Sequence, residues 1–393
     1  MESPGIHYFY VTMTDKKYIA FLLAAAGVSI SHAQTITIHN PAPYHRNNAV
    51  VEIPTEKIYQ SFGRDFLVFD ENDKPLLQQQ THDGKRLVLV NVPAESTINL
   101  KLRSGIMGYS DSICYGQIRH DFQDDFTWEN DRSGYRLYGP SYRNGGGNVA
   151  GYDIWTKSVD FPVLDQRYVD HCQYGISYHK DHGNGMDCYT VGKTLGAGMN
   201  ALAPGGNIVY PCAYEKCEIL ENGPLRTTAK ITCYPENIGN GMTVVEERII
   251  TLDRGSWLNK TEVTYKGLSE KCPLVTGIVV HKQNPRGKFI DPEKRFVAYA
   301  DLTDNPDNGN GVIYIGIVNA DLPDTIVYEQ YDPAQGDAIG QILNKTSIAP
   351  GETYTYYWGS GWSKGSVKGM DDWIEKLNSF YDSLQNPLIV TVK

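Results

Sequence analysis

Within twelve residues this chain gathers Tyr178, His179, Lys180, Asp181, His182, Asp187 and Tyr189, which include two of its ten histidines. Gly183 and Gly185 interrupt them, and glycine admits backbone turns that bring neighbouring side chains together. Side chains of these types exchange protons or contact polar ligands. His179, Asp181 and His182 are also suitable metal ligands. On an extended strand, however, His179 and Asp181 face one way and His182 the other. The segment therefore reads as an acid–base or substrate-contacting site with no assigned metal ligands, and a divalent cation, calcium or zinc, stays open as a cofactor. The following Val191-Gly192-Lys193-Thr194 invites a phosphate-loop reading, but Asp187 stands where that motif needs glycine.

A second constellation spans residues 128–140. Read as one strand, Glu129, Asp131, Ser133 and Tyr135 share one face, and Asn130, Arg132, Gly134, Arg136 and Tyr138 share the other. The second face offers two guanidiniums and a phenol, and arginine forks bind carboxylates in bidentate fashion, which suits an acidic sugar. A buried ion-pair network is the competing reading. The catalytic candidates are thus His179, His182, Tyr189, Asp181, Asp187 and Glu129. The substrate-contacting candidates are Trp128, Arg132, Arg136, Tyr138, Trp155, Lys157 and His281. Trp128, Trp155, Trp358 and Trp362 are expected to be flat platforms for pyranose rings. His281 ends an apolar strand, where a core position and a cleft position are both open. Asp301, Asp304, Asp307 and Asn308 lack EF-hand spacing and read as a polar turn. Asn259-Lys260-Thr261 and Asn344-Lys345-Thr346 are glycosylation sequons.

The elements that must position these groups are strands. Thr35-Ile36-Thr37-Ile38-His39 alternates, residues 66–69 and 76–77 flank a turn at 70–73, and residues 86–90 and 97–102 follow. Residues 34–105 therefore read as a small β-sandwich module. Residues 104–204 are rich in Tyr, Asp, Arg, His and Gly without clean alternation, as long functional loops are. Strands resume from residue 208, and 106–393 reads as the main domain. One helix is expected over 371–384, with Trp373, Leu377, Phe380, Tyr381 and Leu384 on one face, and a last strand over 388–392. The predicted fold class is all-β, a sandwich with a C-terminal helix.

Composition narrows the function. Lys16 and Lys17 precede an apolar run over 18–30, then Ser31-His32-Ala33. That is the pattern of a secretory signal peptide over 1–33 with cleavage expected after Ala33; its apolar run is too short for a membrane span. An exported, periplasmic or extracellular product follows. A net charge of −10 argues against nucleic-acid partners, which require clustered Lys and Arg. The 27 tyrosines, 38 glycines and 20 prolines suit a turn-rich β protein. Seven cysteines form no tight framework and read as mostly free, with Cys212 and Cys217 able to approach across a hairpin.

Several motifs in order resemble a family of exported bacterial proteins catalogued as domain of unknown function 4861. They are Trp128-Glu129-Asn130-Asp131-Arg132 with Arg136-Leu137-Tyr138-Gly139-Pro140, and His179-Lys180-Asp181-His182-Gly183 with Gly185-Met186-Asp187-Cys188-Tyr189. Glu221-Asn222-Gly223-Pro224-Leu225-Arg226, Leu252-Asp253-Arg254-Gly255-Ser256-Trp257 and Tyr357-Trp358-Gly359-Ser360-Gly361-Trp362-Ser363 agree with it too. The resemblance implies a product of polysaccharide-utilisation loci, often beside or fused to unsaturated glucuronyl hydrolases, and so an acidic, uronate-containing glycan as partner. The β-rich texture is similar to the galactose-mutarotase-like supersandwich. The resemblance brings no established catalytic residues. The leading expectation is a polysaccharide lyase, with Arg132 and Arg136 neutralising the uronate carboxylate. A glycoside hydrolase with paired carboxyls, a non-catalytic glycan-binding protein and a sugar mutarotase are the alternatives.

Overall fold

The computed structural model describes residues 35–393, so the leader read in residues 1–33 lies outside the described residues. Strand Thr35–His39 buries Ile36 and Ile38 and leaves its threonines half-covered, as its alternation demands. It joins Thr97–Ser104, Phe66–Phe69 and the last strand of the chain, Ile389–Val392, in one antiparallel sheet. A second sheet of Arg46–Ile53, Arg86–Val92 and Gln78–Gln80 closes with it on a core that includes Ile36, Ile53, Phe66, Val68 and Val90. The turn at 70–73 returns the chain to the 66–69 strand only through a Phe69–Pro75 bridge. The strand itself forms later, at Gln78–Gln80, in the other sheet.

Three further sheets share a second core. The largest has nine strands, and its Met242–Asp253 strand alternates between buried and half-buried positions from Val244 onward. A four-stranded sheet is ordered Ala197–Leu202, Cys272–His281, Ala338–Ile348, Thr325–Gln335. The molecule is all-β in class, as expected. Helix Met370–Gln385 packs Trp373 and Leu377 against the outside of the large sheet. Gly316 permits the approach, since a Cβ there would lie 2.8 Å from Leu377. Among the described residues, no helix is long and apolar enough to cross a membrane.

The region expected to be long loops holds the third sheet, Tyr115–Arg119, Asp125–Glu129, Gly134–Leu137 and Asp153–Trp155, and helix Leu164–Tyr174. Strands Asp125–Glu129, Gly134–Leu137 and Asp153–Trp155 are buried at every position. A strand covered on both faces shows no polar–apolar alternation, so its signal in sequence is weak. All seven cysteines are free; the approach of Cys212 to Cys217 does not form a disulfide. Both sequon asparagines are buried, Asn259 and Asn344 alike, which removes them as glycan acceptors in the folded protein.

Candidate functional site

Arg136 and Asp153 stand directly opposite each other on the paired strands Gly134–Leu137 and Asp153–Trp155. Arg136 Nη2 lies 2.5 Å from Asp153 Oδ2 and 3.1 Å from Asp187 Oδ2. Asp187 is held there by an antiparallel bridge to Trp155. The guanidinium also donates to Tyr138 Oη at 3.2 Å and lies over the rings of Tyr138 and Trp155. A third carboxyl, Asp125, accepts from Tyr168 Oη at 3.0 Å. Trp155 stacks on Tyr168, 5.0 Å between centroids and 3° between planes. Three buried aspartates thus surround one buried guanidinium, which cannot balance them if all three are ionised.

The electrostatics follow from that imbalance. Burial, opposed by Arg136 and reinforced by Asp187, pushes the Asp153 carboxyl up to about 7. Burial, opposed by Arg136, pushes Asp187 up to about 6 and Asp125 to about 6. The first two share one arginine nitrogen and titrate as a pair. Burial works against the Arg136 charge, yet the aspartates around it hold its pKa well above the ordinary value. Burial first, and Asp153 second, raise Tyr138 well above a normal phenol. Carboxyls raised in this way beside fixed charges occur both in acid–base sites and in buried ion-pair networks, and the Arg136 cluster is such a network.

His179 lies at the exposed edge of the cluster. Its ring is about half exposed, and Nδ1 is 3.1 Å from the Asp187 carbonyl and 3.7 Å from its carboxylate. A carbonyl only accepts, so Nδ1 carries the proton and Nε2 remains free. The rest of the segment behaves differently from an alternating strand. Its glycines, Gly183 at φ +95° and Gly185 at φ +108°, bend it into turns. A Cβ on Gly185 would lie 2.1 Å from the Thr156 carbonyl oxygen. Asp181 spends its Oδ1 on the N–H groups of Gly183 and Gly185. His182 turns back to the Ser177 carbonyl at 3.0 Å and stays exposed. His179, Asp181 and His182 therefore have three separate partners. Among the described residues, no group of three or more His, Cys, Asp or Glu is arranged to hold a metal ion.

The 128–140 constellation also divides. It is a hairpin, not one strand: Asp125–Glu129 and Gly134–Leu137 pair, and residues 130–133 form the turn. Arg132 lies in that turn, beside Asp131 and over the Trp257 ring, so it does not share the Arg136 pocket. Glu129 and Lys157 form a buried ion pair at 2.6 Å. The Glu129 carboxylate also accepts from the backbone N–H groups of Val163 and Leu164 at the start of helix Leu164–Tyr174. Lys157 adds a bond to the Asn130 carbonyl. Both residues hold the helix to the sheet. Lys157→Met is expected to destabilise the protein by about 3–5 kcal/mol, because it leaves the Glu129 charge buried without its cation. Urea unfolding measures this, and a loss below about 1 kcal/mol would sink it.

Trp128, Trp155, Trp358 and Trp362 are all core residues. Trp128, Trp358 and Trp362 donate their indole N–H to Asn259, Thr261 and the Asn310 carbonyl, so none offers an open face to a sugar. Tyr138 is partly exposed, with its ring centroid 4.8 Å from that of Tyr142. His281 and Tyr189 lie on a neighbouring wall: His281 Nδ1 is 2.6 Å from Asp301 Oδ2, and the Tyr189 and His281 rings are 5.7 Å apart. Asp301 belongs to that pair and not to a cation-binding turn. Asp125, Asp153 and Tyr168 carry no assignment from sequence, and Asp301 enters there only as part of a polar turn. Asp153 did carry a signal, as a lone acid between Tyr152 and Ile154-Trp155.

A relative, uncharacterized protein P7 of Formosa agariphila, is 28% identical over 282 residues, covering 67% of this chain and 70% of its own. Two solved structures from Enterococcus faecalis match with 11% identity over 92% of this chain. One is a protein in glycosyl hydrolase family 38, with TM-score 0.47 and 47% of its chain covered. The other is an α-mannosidase from strain V583, with TM-score 0.42 and 46% covered. The chain spans about half the length of these solved structures. A model of the family described as a domain of unknown function (DUF4861) matches residues 38–390, nearly the whole chain, and the protein belongs to that family.

Proposed function

We propose that the protein is a carbohydrate-active enzyme that hydrolyses a glycosidic bond with Asp153 and Asp187 as its carboxyl pair. The observation that carries this reading is the sharing of one arginine nitrogen by the two carboxylates, at 2.5 and 3.1 Å. The two Oδ2 atoms can stand no further apart than the sum of those distances. That falls short of the roughly 6.5–9.5 Å that leaves room for an attacking water and suits the closer spacing of a retaining pair. Asp187, whose carboxylate has His179 Nδ1 3.7 Å away, is assigned the attacking carboxylate, and Asp153 the acid. Asp187 attacks the anomeric carbon, the bond to the leaving sugar breaks, and the leaving oxygen takes the Asp153 proton. Water then displaces Asp187 and returns a proton to Asp153.

Elimination is supported less well. It needs a cation on the substrate carboxylate, and Arg136 is already committed to Asp153 and Asp187 while Arg132 lies outside the pocket. The surplus of acids favours an uncharged ring at the scissile bond, with the uronate implied by the family resemblance at a neighbouring position. The leader pattern in residues 16–33 supports export. A screen of neutral and uronate oligosaccharides with two readouts tests the reaction. New reducing ends without ultraviolet absorbance are expected. Absorbance from a new carbon–carbon double bond would replace hydrolysis with elimination, and binding without turnover would leave a glycan-binding protein.

A further inference from the structure

Near the carboxyl pair lies a buried histidine to which the reaction above gives no part. His281, buried at the end of strand Cys272–His281, points Nδ1 at Asp301 Oδ2, 2.6 Å away. The other Asp301 oxygen accepts the Thr303 N–H at 2.7 Å. Thr303 holds φ +71°, which is rare for a β-branched residue and is stored strain when it occurs. Tyr299 Oη accepts the His281 N–H at 3.0 Å. Carboxylate, ring and backbone are thus fixed from three sides. Nδ1 donates to the carboxylate, which leaves Nε2 as a bare acceptor.

His281 Nε2 and Tyr189 Oη, on rings 5.7 Å apart, are buried without a partner within the protein, as are Thr303 Oγ1 and Gln283 Oε1, two residues along the chain from Asp301 and His281 respectively. Buried polar atoms are normally satisfied, and an unsatisfied group costs stability. These four are uncharged and mix donors with acceptors, the complement of the hydroxyls of a sugar ring. Tyr189 is two residues from Asp187, and burial first, with Asp301 second, keeps its phenol protonated as a donor. Asp153 is close enough to add to that effect, which ties this wall to the carboxyl pair.

We propose that His281, oriented by Asp301, and Tyr189 form a hydroxyl-recognising subsite for a pyranose ring. In it, His281 Nε2 accepts from a ring hydroxyl next to the anomeric carbon and Tyr189 Oη donates to a neighbouring oxygen. The inference rests on reading the pocket as a glycan site. The contact to Nε2 strengthens as positive charge develops at the anomeric carbon, as hydrogen bonds to that hydroxyl do in glycoside cleavage. His281 and Tyr189 thereby become determinants of rate and sugar choice.

Tyr189→Phe separates this role from a structural one. It removes an oxygen that bonds nothing in the fold, so urea stability is expected to hold or rise, while kcat/KM on the best glycan of the panel falls about tenfold, the worth of one hydrogen bond. Full kcat/KM in Tyr189→Phe overturns the proposal. A second measurement is independent of turnover. In the full chain labelled with nitrogen-15 histidine, His281 is expected as the Nδ1–H tautomer, which Asp301→Asn removes. Added D-glucose or D-glucuronate is expected to shift the Nε2 resonance. No shift with either sugar, or the opposite tautomer, overturns the proposal even if Asp153 and Asp187 prove essential. If no glycan is cleaved but the shift occurs, the hydrolysis reading falls and the subsite stands.

Discussion

Arg136→Met is expected to cost the folded protein about 3–5 kcal/mol at pH 8, because it leaves Asp153 and Asp187 buried without the cation they share. A domain of ordinary stability has only about 5–15 kcal/mol to lose, so this is a large fraction of the total. The loss is expected to shrink at pH 5. Both carboxyls have folded pKa values raised above the ordinary 3.8, to about 7 and about 6. Between about 4 and 7 the folded state therefore binds more protons than the unfolded one, and stability falls as pH rises through that window. In the variant the opposing effect of Arg136 is gone, both carboxyls hold their protons to higher pH, and the window extends upward. Below about pH 4 the opposite class of group takes over: Asp83, held at about 2 by Thr81 and Lys85 against the cost of its burial, loses its contribution as pH falls. Urea titrations at pH 5 and pH 8 decide the matter, and an equal cost at both values would sink this account of the cluster.

The same burial that gives these carboxyls their chemistry made most of them hard to see in sequence. Elements with one wet face were legible: the alternation of Thr35–His39, the single apolar stripe of Met370–Gln385, and the general β texture. The sheet that carries Arg136 and Asp153 was not, because its strands are covered on both faces and show no period. Placing residues 128–140 on one strand put Arg132 beside Arg136, whereas a turn at 130–133 sends them to different places. Asn130 closes that turn: its side-chain oxygen accepts from the N–H groups of Arg132 and Ser133. Asparagine commonly makes such turns, so that signal was present. The dense segment at 178–189 divides in the fold. Asp187 and His179 join the Arg136 cluster and Tyr189 packs beside His281, while Asp181 and His182 are turn scaffolding. Residue type marked the segment; only the two positive-φ glycines and the Trp155 bridge decided which side chains turned inward.

That division within one segment yields the sharpest functional test. Asp187→Asn is expected to lower glycan turnover by about 10²–10⁴-fold or more, since it removes the attacking carboxylate. It is expected to leave urea stability unchanged or raised near neutrality, because an amide still accepts from Arg136 and ends the cost of a buried charge. Asp181→Asn and His182→Ala, in the exposed half of the same segment, are expected to stay within about twofold of the parent, as surface changes usually do. The pH profile carries the assignment further. Turnover needs Asp187 ionised, so it rises as pH passes about 6. It needs Asp153 protonated, so it falls as pH passes about 7. The profile of kcat/KM is then a narrow bell whose limbs belong to the coupled pair. Asp153→Asn is expected to remove the alkaline fall from whatever activity remains, because no group is left whose proton must be kept. A bell that survives Asp153→Asn intact would move the acid to another residue, and His179, half exposed beside Asp187 with a free Nε2, is the group in position to take that role.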